Sequence, residues 1–297
     1  HFMVFEIDII PIKQSKIATV DFNNLTFGTI FTDYMFECDY KNGEWQNPTI
    51  KPYGPLTIDP SARVFHYGQA VFEGMKAFKD DNDDLFLFRP DENFKRINKS
   101  SKRLAIPEFR EDFFFEGMKK LLHLEKDWIK KGMGNSLYLR PFVIATQPAI
   151  SASPANEYKF MIICSPAQSY YAGEVRVIFA ESYSRSANGG VGFAKAGGNY
   201  AAQFYPTQLA IEKGYNQVIW TDDNTHQFIE EAGAMNIFVR INDTLITKAT
   251  KMPIQDSFHR MKLSFVGDIM GHENQLFVRS LLGACEGLKT RVIAVGI

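Results

Sequence analysis

A chain of 297 residues, 45% apolar and 14% aromatic, carries enough hydrophobic surface for a sizeable core divided between two domains. Its formal charge of -1, with no long basic block, argues against a nucleic-acid surface or an anionic membrane and points to a small-molecule partner. Cys38, Cys164 and Cys285 lie too far apart for metal-ligand spacing or a disulfide framework, so no metal site is expected. With no apolar run of about 18 residues and no signal peptide, the expected setting is the cytoplasm. His1 and Phe2, ahead of Met3, are expected to be a cloning remnant.

The N-terminal domain is expected over residues 3–164. Met75-Lys76-Ala77-Phe78 and Leu85-Phe86-Leu87-Phe88, joined by the acidic run Asp80 to Asp84, read as a hairpin with a solvated loop. Arg89-Pro90-Asp91 opens a helix with a proline and an acid in its first turn. Phe94, Ile97 and Leu104 form its inward face, and Arg96 sits beside that face. A second helix is expected from Glu111 to Lys131, with Phe114, Met118, Leu121 and Leu122 inward and Gly132 as its stop. Ser136 to Arg140 alternates with period two, so Tyr138 and Arg140 project from one face of a strand. That face is either the wall of a polar pocket or a wet sheet face, and the stretch alone fits both.

Tyr158 to Cys164 is an apolar strand, and the Pro- and Gly-containing run over residues 165–174, with Tyr170 and Tyr171, is expected to be an interdomain loop. The second domain, residues 175–297, starts with a strand at Val175 to Phe179. Five glycines then flank Lys195 in Gly189-Gly190-Val191-Gly192-Phe193-Ala194-Lys195-Ala196-Gly197-Gly198, where residues without Cβ allow sharp turns and close approach of a ligand. Such a loop is either a solvated turn or a place where an amine captures a flat, anionic partner. No Gly-Lys-Ser/Thr triplet or G-x-G-x-x-G pattern makes it a nucleotide loop. A helix from Tyr200 to Lys213, stopped by Gly214, leads to a strand at Gln217 to Trp220. Glu231 stands at the mouth of an apolar strand, where a carboxylate either reaches water or meets a cation. Ile237 to Ile241 and Leu245 to Thr247 read as a further hairpin.

Lys195, Tyr200, Glu231 and Arg96 meet the needs of pyridoxal 5'-phosphate: an amine for a Schiff base, a phenol for the ring oxygen, a carboxylate for the pyridine nitrogen and a guanidinium for the phosphate. From chemistry alone this cofactor is one choice among several. Three strings in order, Phe72-Glu73-Gly74-Met75-Lys76-Ala77-Phe78, Lys195-Ala196-Gly197-Gly198-Asn199-Tyr200 and Glu231-Ala232-Gly233-Ala234-Met235-Asn236, resemble the branched-chain amino acid aminotransferases of the fold-type IV pyridoxal phosphate enzymes.

The resemblance runs from about Tyr34 to Thr247. It implies a two-domain α/β (α+β) fold, with a smaller N-terminal α/β domain and a C-terminal pseudo-barrel domain. It makes Lys195 the Schiff-base lysine and proton shuttle, Glu231 the partner of the pyridine nitrogen, Tyr200 the ligand of the ring oxygen and Arg96 the phosphate cation. Phe72, Tyr138, Arg140, Tyr170 and Ala234 would line the substrate pocket, and Tyr67 would reach into the neighbouring subunit's pocket, which implies a homodimer. The implied reaction moves the amino group of L-leucine, L-isoleucine or L-valine to 2-oxoglutarate. A D-amino acid transaminase, an aminodeoxychorismate lyase and a catalytically silent cofactor-binding protein are the alternatives.

After Thr247 the likeness weakens. Ile254 to Arg260 stands where the family has I-L-D-G-V-T-R opening a helix whose first amides bind phosphate, so the amides around Phe258 and His259 are expected to do so here. Val292 to Ile297 is expected to match the family's glycine-rich phosphate loop, and the second domain is expected to be incomplete.

Overall fold

The computed structural model describes residues 6–168 and 175–233 and, beyond them, Ile237 and the backbone of strands within 236–295. These residues divide into two compact units, one of His1–Gln168 with Ala194–Gly198 and one of Ser169–Phe193 with Asn199–Ile297.

The first unit is a mixed sheet covered by helices. Its elements are β1 (Asp8–Ile9), β2 (Tyr34–Lys41), β3 (Glu44–Pro52), α1 (Arg63–Tyr67), β4 (Ala70–Phe72), β5 (Met75–Lys79), β6 (Leu85–Leu87), α2 (Pro90–Arg103), α3 (Glu111–Leu124), β7 (Ser136–Ala145) and β8 (Tyr158–Ala167). The strands run in the order β1-β3-β2-β8-β7-β5-β6, and β4 also pairs with β7. The hairpin expected around the acidic run is β5–β6, with Ala77 opposite Leu87. The chain from β4 to β5 follows β7 closely: Phe72 lies opposite Phe142, Met75 opposite Leu139, and between them the Glu73 N–H donates to the Pro141 carbonyl at 2.7 Å. Ile97 of α2 and Phe114, Met118 and Leu121 of α3 are buried in one cluster with Phe36, Leu137, Leu139 and Phe160 of the sheet.

Two boundaries differ from those read in the sequence. The second helix ends at Leu124, one short 3-10 turn follows at Lys126–Trp128, and the helix does not run on to Lys131. Tertiary bonds stop it there. The fully buried Glu125 carboxylate accepts the Tyr34 N–H at 2.5 Å, and the Trp128 indole donates to Asp33 at 3.0 Å. Strand β8 also continues through Ser165, Pro166 and Ala167, residues expected in the interdomain loop. Pairing with β2 stops at Ile163, so Pro166 sits where β7 alone flanks the strand, a position that tolerates a missing N–H.

In the second unit β9 (Val177–Phe179) and β10 (Gln217–Thr221) are parallel and joined through a crossover containing α4 (Gly197–Glu212), and β11 (Ile229–Ala232) pairs antiparallel with β10. Among the described residues Ala180, Ala210, Val218 and Trp220 form one small buried cluster. The helix begins three residues before the expected Tyr200 and keeps Pro206 inside it. A second, all-antiparallel sheet has the order β14-β13-β12-β16-β15, formed by β12 (Asn236–Ile241), β13 (Thr244–Lys248), β14 (Phe258–Lys262), β15 (Gln275–Arg279) and β16 (Thr290–Val295). The expected hairpin is β12–β13. The expected helix start at Phe258 and His259 is not found: both lie in β14, opposite Lys248 and Thr247. Strand amides point alternately to the two sides and do not converge on an anion as those of a helix start do. Val292 to Val295, expected in a glycine-rich loop, is likewise strand, paired with both β12 and β15.

Candidate active site

Lys195 is fixed by its main chain before its side chain does anything. Its N–H donates to the Ser100 hydroxyl at 2.9 Å, its carbonyl accepts the Phe72 N–H at 3.0 Å, and Ala196 bridges to Val71. Lys195 was expected in the second domain; these contacts lie in the first unit, to which Ala194–Gly198 belongs. Its ammonium lies 5.0 Å from the Phe72 ring centroid, an arrangement in which the aromatic face favours the cation.

The helix α2 supplies one face to this cradle. Asn93, Arg96 and Ser100 recur at helical spacing, so they point the same way. Asn93 and Arg96 both reach Glu73, whose side chain is fully buried at the end of β4. Arg96 donates through Nε at 2.5 Å and Nη2 at 2.9 Å, Asn93 through Nδ2 at 2.7 Å, and the Gly74 N–H at 3.2 Å. A bidentate pair of this kind fixes the plane of the guanidinium. The expected phosphate cation is therefore held by a carboxylate, and its side chain remains 37% exposed.

On the other face of the sheet, Tyr138 and Arg140 are half-buried and meet each other: Arg140 Nη2 donates to the Tyr138 hydroxyl at 2.9 Å. The Arg140 guanidinium stacks over Phe72 at 4.6 Å, and Phe27 meets Tyr138 edge-on at 5.0 Å. Gly74 makes room for this arrangement, because a Cβ there would lie 2.1 Å from the Tyr138 hydroxyl. Lys76, opposite Tyr138 in the ladder, is half-buried, and burial lowers its pKa. The Tyr138 face thus carries aromatic rings and cations in contact, an arrangement that fits either of the two readings left open for it. Tyr67 is exposed at the end of α1, with its hydroxyl donating to the Ile150 carbonyl of its own chain.

In the second unit Glu231 lies within β11, not at the mouth of a strand, and meets a cation, the Arg185 guanidinium; both side chains are largely buried. Beside it Glu230 accepts a hydrogen bond from Ser186 at 2.9 Å. Tyr200 stands on α4, and its neighbour Asn199 ties the helix start to the glycine-rich loop by donating to the Val191 carbonyl at 2.8 Å. Asp222 sits in a cage of N–H donors from Phe228, Thr225 and Gln227, led by Phe228, that holds its carboxyl well below the usual range. Tyr170 and Ala234 lie outside the described residues.

The sequence reading assigned no role to Glu73, Asn93, Ser100 or Arg185. Glu73 carried a signal, an acid inside an apolar run, the same reasoning that singled out Glu231. Ser100 and Arg185 carried none.

The family model described as amino-transferase class IV matches residues 70–257. Branched-chain-amino-acid transaminase 1 of Bacillus subtilis (strain 168) is 50% identical over 234 residues, covering 77% of this chain and 66% of that protein. A probable branched-chain-amino-acid aminotransferase of Staphylococcus epidermidis is 43% identical over 266 residues, 88% of this chain and 74% of that one. The chain spans about two thirds of the length of the two Bacillus subtilis relatives it matches, 66% and 67%. Among solved structures, the Escherichia coli branched-chain amino acid aminotransferase shares the fold with a TM-score of 0.55 at 24% identity, over 72% of this chain and 66% of that one. A branched-chain aminotransferase of the thermophilic archaeon Thermoproteus uzoniensis, solved with norvaline, does so with a TM-score of 0.57 at 20% identity, over 80% and 75%. With a family match that spans residues 70–257 and relatives at this identity, the chain belongs to the class IV aminotransferases, in their fold-type IV branched-chain-amino-acid group.

Proposed function

We propose that the chain acts as a branched-chain-amino-acid aminotransferase that works with pyridoxal 5'-phosphate attached to Lys195. The observation that carries this reading is the Lys195 cradle, an amine held at both sides of its main chain over an aromatic ring, on the same unit as an oriented guanidinium. These groups fit the cofactor, since the amine, the Arg96 cation and the Glu231 carboxyl are the residue types its aldehyde, phosphate and pyridine nitrogen require. When bound, the cofactor supplies an electron sink for the bond that loses its proton.

In this reading Lys195 would hold the cofactor through its amine and would be the group that moves the substrate's α-proton. Arg96, aligned by Glu73, holds the phosphate, and Glu231, positioned by Arg185, meets the pyridine nitrogen. Tyr200 binds the ring oxygen. Phe72 and Phe27 offer apolar surface to a branched side chain, while Tyr138 and Arg140 receive a carboxylate, which lets one pocket take L-leucine and then 2-oxoglutarate. Tyr67, Tyr170 and Ala234 complete the substrate pocket in a cytoplasmic homodimer. The exposed Phe78 and Phe86, directly paired across β5 and β6, support burial of this surface in a partner subunit. The free buried thiols Cys38 and Cys164 fit a reducing compartment. No helix among the described residues is long and apolar enough to cross a membrane.

The test is a spectrum and a turnover assay. Adding pyridoxal 5'-phosphate brings up the visible band of the lysine-bound cofactor, L-leucine then bleaches it and releases 4-methyl-2-oxopentanoate, and Lys195→Ala lowers turnover about a thousandfold or more. Full turnover by Lys195→Ala, or turnover of D-alanine in place of L-leucine, would overturn the proposal.

A further inference from the structure

We propose that Ser100 is a positioning residue that sets the distance between the Lys195 amine and the Arg96 guanidinium, and so matches the protein to the two ends of its cofactor. The inference rests on the transaminase reading and deepens it. Pyridoxal 5'-phosphate carries its aldehyde and its phosphate on one rigid ring, so the groups that take them must be held at a fixed separation.

Helix α2 reaches both ends. Arg96 and Ser100 stand about one turn apart on it, roughly 6 Å along the axis, and face the same way. Ser100 is fully buried, and its hydroxyl accepts the Lys195 N–H at 2.9 Å. Across from the helix, two adjacent residues at the end of β4 match this spacing. The Phe72 N–H donates to the Lys195 carbonyl at 3.0 Å, while the Glu73 carboxylate takes Nε and Nη2 of Arg96. These bonds close a circuit that runs from Lys195 to Ser100, one turn back along α2 to Arg96, across to Glu73, and through Phe72 to Lys195 again. The helix itself is pinned: Ile97 is fully buried in the core, and Asn98 donates to the Phe109 carbonyl at 3.1 Å and accepts the Phe109 N–H at 2.8 Å. Within the circuit Ser100 contributes a neutral hydrogen bond and Glu73 a charged, bidentate one. Removing the Ser100 hydroxyl therefore frees Lys195 from α2 while Glu73 keeps its hold on Arg96, and the amine then lies at a variable distance from the phosphate cation.

The experiment compares two aldehydes that share the ring and differ at the phosphate. The full chain is titrated with pyridoxal 5'-phosphate and with pyridoxal, and the visible band of the lysine-bound form is read in wild type, Ser100→Ala, Ser100→Thr and Ser101→Ala. Ser101, buried at the next position and turned about 100° around the helix, is the control. Ser100→Ala is expected to weaken attachment of pyridoxal 5'-phosphate about tenfold or more and to leave pyridoxal within about twofold of wild type, because a ring without a phosphate follows the amine wherever it lies. Ser100→Thr, which keeps the hydroxyl, should restore most of the loss, and Ser101→Ala should change neither aldehyde. Before any cofactor is added, hydrogen exchange at the Lys195 amide should run about tenfold or more faster in Ser100→Ala. Equal losses for both aldehydes would assign Ser100 to packing alone, and no loss for either would mean that the spacing is set elsewhere; each overturns the inference. Should Ser100→Ala not fold, Ser100→Cys, which is of similar size and a weak acceptor, is read by the same ratio. A wild-type protein that gives no band with pyridoxal 5'-phosphate would withdraw the transaminase reading and this inference with it.

Discussion

Gly74 shows how a residue without a side chain controls those around it. The Tyr138 hydroxyl occupies the space a Cβ would fill, at 2.1 Å, and Arg140 is oriented through that hydroxyl. Gly74→Ala is therefore expected to displace the phenol and cost about tenfold or more in kcat/KM for L-leucine, in a protein that still binds cofactor. Unchanged kinetics would mean that the ring turns aside without disturbing Arg140. Lys195, Glu231, Tyr138 and Arg140 were legible in the sequence because their chemistry restricts what can stand there: a lysine among glycines, a buried acid, two polar groups at strand spacing. Ser100 was not legible. It acts through a hydroxyl on the Lys195 N–H, 95 residues away, and a serine in a helix has no local mark of such a bond.

Among the elements, α3 leaves no room for a side chain at Gly117, where an added Cβ would approach the fully buried Phe36 ring at 2.6 Å. Phe36 is itself hemmed in by Phe160, so the ring has little freedom to yield. Overpacking costs about 1–3 kcal/mol and the better helix propensity of alanine returns roughly 1, so Gly117→Ala should destabilise by about 1–2 kcal/mol in urea unfolding. A stability gain would show that helix and strand separate easily. Periodicity located α2, α3, β7, β8 and the two hairpins, since each buries one face that repeats along the chain. It missed where α3 stops, because Glu125 is turned inward by a bond to Tyr34, far off in sequence. It also missed β14 and β16, where the family pattern suggested phosphate-binding loops and the backbone pairs as sheet.

For the whole molecule, the buried Glu125 makes stability depend on pH in an unusual direction. Burial raises its pKa from 4.5 to about 7, against the pull of the Tyr34 N–H. Between those values the folded protein keeps a proton that the unfolded chain has lost, so raising the pH through this window removes stability, and above about 7 the loss is constant. Glu125→Gln, which still offers Tyr34 an acceptor, should flatten the thermal stability profile over that window and gain on the order of 3 kcal/mol above it. A profile as steep as that of wild type would assign the slope to another group. Lys195, which the sequence places in its second half, is held by the first of the two compact units.

That last feature bears on heredity. The chain leaves the first unit at Gln168 and returns to it only for Ala194–Gly198. A single recombination crossover between those points would take Lys195 from one parent and Ser100 and Phe72, its main-chain clamps, from the other. Exchange of halves between divergent relatives is safe only when both parents agree at these few positions, or when a second crossover carries the five-residue segment along with the first unit.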